Sequence, residues 1–135
     1  MRYHNLTNIT KLNDNQVFVF GSNEGGIHGK GAAYTARKHF GAQLGVGVGP
    51  TGQSYAIPTK DENLKVLDII TIAHRVSMFI FYTMQFPKKE FVVTAIGCGL
   101  AGFKHEEMAP LFKDAGENVM LPDIWKPVID NIKKG

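Results

Sequence analysis

Short apolar runs closed by glycine or proline alternate along this chain with stretches that carry helix signals. The run "QVFVFGS" (16–22) is β-branched and aromatic and ends at glycine, which predicts a buried strand. From Gly31, "GAAYTARKHF" is alanine-rich, with Arg37, Lys38 and His39 in its last turn and Gly41 as a stop, which predicts a helix. A glycine-rich link (41–52), with room for a short irregular strand, leads to "QSYAIPT" (53–59), a strand that Pro58 is expected to end. A long apolar helix is expected from about Leu64 to Phe86, capped by Asp61 or Asn63. "EFVVTAIG" (90–97) is the clearest buried strand, a short helix is expected from His105, and "NVMLP" (118–122) is the last strand. The tail "DIWKPVIDNIKK" reads as a broken helix or an extended tail, with Pro127 in its way.

Strands and helices in this alternation predict one domain over residues 1–135, an α/β/α sandwich of three layers with a largely parallel central sheet. Ligands of such sheets bind beyond the carboxyl ends of the strands. The unusual loops fall there: "GSNEGGIHGKG" after the first strand, "PTKDEN" after the second and "GCGLAGF" after the third. Backbone N–H groups of a glycine loop that opens a helix bind anions, and the helix dipole adds to this. Gly29, Gly31, Ala32 and Ala33 permit close backbone approach, the second loop offers another set of amides, and Phe103 offers a flat apolar wall. Two such loops at one sheet edge suit a diphosphate.

Composition narrows the classes without choosing among them. Of 135 residues, 44% are hydrophobic and 20% charged, an ordinary globular balance. The net charge of +3 is spread along the chain and suits an anionic ligand as well as nucleic acid, so it decides little; no specific nucleic-acid partner is expected. Cys98 is the one cysteine; with no signal peptide at the start, a reducing cytoplasm is expected. The apolar run 69–86 is interrupted by His74, Arg75 and Gln85, so no membrane association is expected. His4, His28, His39, His74, His105 and Cys98 show no zinc spacing, so neither metal nor cofactor is expected. The chain lacks the phosphate-loop and dinucleotide fingerprints: Gly31 follows Lys30 where a hydroxyl residue would stand, and "GIHGKG" is not GxGxxG.

Together the loops resemble the macrodomain, an ADP-ribose-binding module. Asn23 followed by "GGIHGKGAA" is similar to its first loop, and "IGCGLAGF" (96–103) to its second. "LTNITKLNDNQVFVFGSN" looks like the family's opening stretch, in which an aspartate before "IT" binds the adenine amino group; Asn8 stands there, followed by Ile9. The resemblance covers about residues 6 to 122. "GKGAA…FGA" and "IGCGL" look most like the branch that cleaves ADP-ribose from acidic side chains. The whole chain resembles still more a small macro-like family of bacteria and their phages.

What the resemblance implies is a site for ADP-ribose or a related nucleotide, which the protein sequesters or hydrolyses. The implied ligand contacts are Asn8, Ile9, Ser22, Asn23, His28, Gly29, Lys30, Gly31 and Ala32, with Pro58 and Thr59 from the middle strand. Gly97, Cys98, Gly99, Leu100, Ala101, Gly102 and Phe103 complete the set. The hydrolase branch uses a lysine and an aspartate. Lys60 stands at the lysine's place, Ala101 at the aspartate's, and Asp61 is the nearest replacement. The catalytic expectation is therefore that Asn23 and Asp61 orient a water while Lys60 stabilises developing charge. His28 is expected to be exposed in its loop, and a nucleophilic Cys98 would require a base such as His28 beside it. The alternative is a non-enzymatic protein-interaction factor on the same scaffold, with a homo-oligomer contact left open through the tail "LPDIWKPVID".

Overall fold

A computed structural model of the chain describes residues 1–134. Its strands are β1 (Arg2–His4), β2 (Gln16–Asn23), β3 (Gly49–Thr51), β4 (Ser54–Lys60), β5 (Glu90–Val93) and β6 (Val119–Pro122). Its helices are α1 (Gly31–His39), α2 (Ile69–Met84), α3 (His105–Met108) and α4 (Lys126–Lys134). One sheet of order β1-β6-β5-β2-β4-β3 holds all six strands, parallel except for the β3–β4 pair. The fold is mixed α/β.

Alternation of side chains along β2 separates two cores. Val17 and Val19 pack with Tyr55, Phe91 and Val93 against Ile72, Val76 and Phe79 of α2, and this core extends to Phe112, Trp125 and Ile129. Phe18 and Phe20 pack instead with Ala56 against Ala33 and Ala36 of α1 and Phe40 behind it. Strands covered in this way have no polar face, which is why β2, β4 and β5 read as continuous apolar runs.

The structure corrects several boundaries. Pro58 does not end β4, which runs on to Lys60 with Pro58 in register with Ser22. The β3 pairing reaches only as far along β4 as Ala56, where β3 begins, so Pro58 lies on an edge, where a residue without N–H is tolerated. α2 begins at Ile69 rather than Leu64, and its cap is Asp68, which accepts the Thr71 N–H at 2.8 Å. Leu64, at φ +64°, lies outside any right-handed helix. Asp61 caps no helix: its carboxylate accepts the N–H groups of Asn63 (2.8 Å) and Lys65 (3.0 Å) and closes the turn after β4.

One strand goes beyond the sequence expectation, and a second is the short strand for which the glycine-rich link had room. β1 joins the far edge beside β6, anchored by Arg2 to Glu90 (2.9 Å) and by the N-terminal amine to Glu117 (2.7 Å). β3 forms within the glycine-rich link. The tail is not broken at Pro127, because the proline falls in the first turn of α4, where its missing N–H leaves no bond unmade. Trp125 is fully buried, packed against Phe112 with ring centroids 5.1 Å apart and the rings tilted by 37°, and its indole N–H donates to His105 Nδ1 at 3.0 Å.

Candidate functional site

A cavity of about 690 Å³ opens beyond the carboxyl ends of β2, β4 and β5. Its walls come from three segments. The end of β2 and the start of α1 give Ser22, Asn23, Gly29, Lys30, Gly31 and Ala32; β4 gives Thr59 and Lys60; the loop after β5 gives Gly97, Gly99, Leu100 and Ala101. The sequence had pointed to all of these. Thr94, Ala95 and Ile96 at the floor of the last loop also line it, as do Gly21 and Ala33. Ile27 and Leu64 stand at the wall as well, 53% and 49% exposed. An apolar residue amid "NEGG…HG" or "KDEN…K" was the available sign for these two.

The backbone around the cavity is short of acceptors. Among the described residues, no protein backbone acceptor meets the N–H groups of Gly29 and Lys30. The first-turn N–H groups of α1, from Gly31 on, have no intrahelical partner by construction of a helix. No side chain caps α1, and no acid stands in its first turn. Across the cavity, the N–H groups of Gly97, Gly99, Leu100 and Ala101 are likewise without backbone acceptors, because the loop's internal bonds use only Cys98, Gly102 and Phe103 as donors. Gly97 and Gly102 hold this turn at φ +79° and +83°. Gly29 and Gly99 are different: neither has positive φ, and a Cβ on either would meet nothing within 4 Å. The fold therefore does not require glycine at either position.

The lining carries two cations, Lys30 and Lys60, and no aspartate, glutamate or histidine. Neither lysine has a carboxylate within ion-pair distance among the described residues. The remaining polar side chains serve the fold. Ser22 Oγ donates to the Gly47 carbonyl, and Thr94 Oγ1 donates to the Val19 carbonyl at 2.8 Å. Asn23, 7% exposed, accepts the Ile27 N–H at 2.9 Å and donates to the Ile27 carbonyl at 2.7 Å.

Several expected contacts lie elsewhere. His28 is not exposed but fully buried, its ring set edge-on to Phe20 at 5.4 Å, and neither ring nitrogen has a hydrogen-bond partner. Burial pushes its pKa below the ordinary imidazole range; the Val46 backbone beside the ring opposes this, and the Arg37 charge adds to it. Cys98 packs with the α2-side core, away from the Phe20 side where His28 lies, and its thiol donates to the Ile96 carbonyl at 3.6 Å. Burial raises its pKa. Phe103 also packs into that core instead of forming a cavity wall, and Ile9 packs against the α1-side core. Asn8, Pro58, Asp61 and Gly102 are not in the lining.

Comparison with protein-family models, with curated proteins and with solved structures gave no match to this chain. Among the described residues, no cluster of three His, Cys, Asp or Glu side chains is placed to hold a metal ion, and no helix is long and apolar enough to cross a membrane.

Proposed function

We propose that this chain is a macrodomain-like α/β/α sandwich of three layers whose cavity binds ADP-ribose or a related ADP-ribose-derived nucleotide. The observation that carries this reading is the lining itself: two facing sets of unpaired N–H groups, with two unpaired lysines and no carboxylate. A diphosphate presents enough acceptor oxygens to engage both sets, and the N-terminal end of α1 adds its dipole. The volume suits a nucleotide-sized ligand.

Binding without turnover is the form of this activity that the side chains favour. Hydrolysis of an ADP-ribosyl bond requires a group to orient or deprotonate water. The Asp61 carboxylate is engaged by two N–H groups of its own turn, and the Asn23 amide by Ile27. Ala101, in the lining, supplies no acid. Lys60 then acts as a charge partner for the bound anion. The alternative, a protein-interaction factor using the tail, would have Ile124 to work with, which is exposed, whereas Leu121, Trp125 and Ile129 are buried in the core.

Calorimetry with ADP-ribose, its cyclic isomers and NAD tests the reading, with mass spectrometry of the recovered ligand. Saturable binding that Gly99→Glu abolishes, with ligand recovered intact, is the expected result. A product that forms and is lost in Asn23→Ala and Asp61→Ala would establish hydrolysis, and no heat with any of these ligands would remove the proposal.

A further inference from the structure

The outer face of α2 carries a second apolar seam that the fold leaves uncovered. Its inner face, Ile72, Val76, Phe79, Ile80 and Thr83, is buried. On the opposite side Ile70, His74, Ser77, Phe81 and Met84 follow one another at intervals of four, three, four and three residues, with Met78 beside them. That spacing is the heptad seam of helices that pack side by side. Exposure is high where the side chains are large: Ile70 79%, Phe81 67%, Met84 63% and Met78 48%. α2 contains a single formally charged residue, Arg75, and its guanidinium reaches toward Glu24 at 3.8 Å. A solvated helix face ordinarily carries charged residues, and this one carries none.

We propose that this face is where two copies of the chain associate, α2 against α2 about a two-fold axis. The area fits a second copy. Four large apolar side chains at these exposures leave on the order of 500 Å² on one helix, in the upper part of the roughly 300–600 Å² that the largest patch of a monomer spans, a patch that is often functional. Doubled across the axis this reaches roughly 1,000 Å², the lower bound of a specific contact, before any rim is counted. An isologous contact sets each surface against itself, so a seam without formal charge is self-compatible, whereas a charged one would repel its copy. The seam lies on the outer face of α2, and no residue of α2 lines the cavity, so pairing leaves the ligand site open.

Sedimentation velocity over a dilution series, with wild type and Phe81→Glu side by side, decides this. The wild type is expected to sediment as a dimer that dissociates on dilution. Phe81→Glu, which loses the largest side chain of the seam and brings two carboxylates together, is expected to raise the dimer dissociation constant roughly tenfold or more. Far-UV circular dichroism of the variant is expected to be unchanged, because Phe81 is mostly outside the core; Ile70→Asp serves as the second variant. A wild type that stays monomeric throughout, a dimer that persists in both variants, or co-sedimentation with lipid vesicles in place of self-association would each overturn the proposal.

Discussion

The Asn23 side chain grips the backbone of Ile27 from both sides, accepting its N–H at 2.9 Å and donating to its carbonyl at 2.7 Å. The Asn23 carbonyl in turn accepts the Gly26 N–H at 3.0 Å, so one residue at the end of β2 fixes the loop that leads into α1. The position of every N–H group on that side of the cavity depends on this clasp. Asn23→Ala leaves both Ile27 groups unpaired and is expected to cost about 1–3 kcal/mol of stability. Asn23→Asp keeps the acceptor but places a negative charge at an anion site. It is expected to lose more in nucleotide affinity than in stability, as thermal denaturation and calorimetry on both variants will show.

Glycines around the cavity divide by what surrounds them. A Cβ on Gly47 would lie 2.0 Å from the Asn23 carbonyl oxygen and 2.9 Å from backbone atoms of Glu24. Gly47→Ala is therefore expected to destabilise by about 3 kcal/mol, since backbone cannot step aside as a flexible side chain would. Gly29→Ala and Gly99→Ala meet nothing and are expected to change stability by less than about 0.5 kcal/mol. Either should nonetheless weaken nucleotide binding, because the added methyl stands where a ligand would approach the backbone. Chemical denaturation of the three variants separates the two kinds of glycine.

Lys30 and Lys60 face the cavity without protein counter-charges. Lys30→Met and Lys60→Met are each expected to weaken ADP-ribose binding about tenfold, which corresponds to about 1.4 kcal/mol. The double variant should bind with a much smaller dependence on salt, since screening acts on the charge pair and not on the amide contacts. Titrations at low and high ionic strength read both effects. Equal salt slopes for wild type and double variant would place the ligand's charge elsewhere.

His28 sets an acid limit on the fold. The unfolded chain takes up a proton near the ordinary imidazole pKa, whereas the buried ring, held below that value first by desolvation, takes it up only at lower pH. Stability contributed by the neutral ring is thus complete above the ordinary imidazole range. It falls as pH drops toward the folded-state pKa and then changes no further. His28→Leu replaces a buried ring whose nitrogens have no partner. It is expected to hold or raise stability near neutral pH, by about 1 kcal/mol at most. Denaturant midpoints across this pH window should lose the His28 step in the variant.

Much of the layout was legible in the sequence because buried parallel strands advertise themselves. The runs 16–22 and 90–97 had no polar face to alternate with, and the loops that follow them carry glycines that a sheet edge needs. The edge strands were harder to read for the opposite reason: Arg2–His4 gave no sign and Gly49–Thr51 only that of a short irregular strand in the link, because each is three residues long and owes its pairing to β6 or β4. His28 looked exposed because a loop residue between glycines ordinarily is. The segment around Gly45 to Gly47, distant in sequence, packs over its loop and closes it, as the Gly45 N–H bond to the Gly26 carbonyl (3.0 Å) and the Gly47 contact with Asn23 show. Leu64 at φ +64° and the true cap at Asp68 were hidden by an apolar run that continues a helical pattern through a turn.

The central claim is that unpaired backbone N–H groups on both sides of the cavity hold the ligand, and amide-resolved NMR reads those groups one by one. On titration with ADP-ribose, ¹H–¹⁵N correlation spectra should show saturable shifts for Gly29, Lys30 and Gly31 together with Gly97, Gly99, Leu100 and Ala101. Resonances from β1, at the far edge of the sheet, should stay in place. Shifts confined to one of the two loops, or none at saturating nucleotide, would contradict the account.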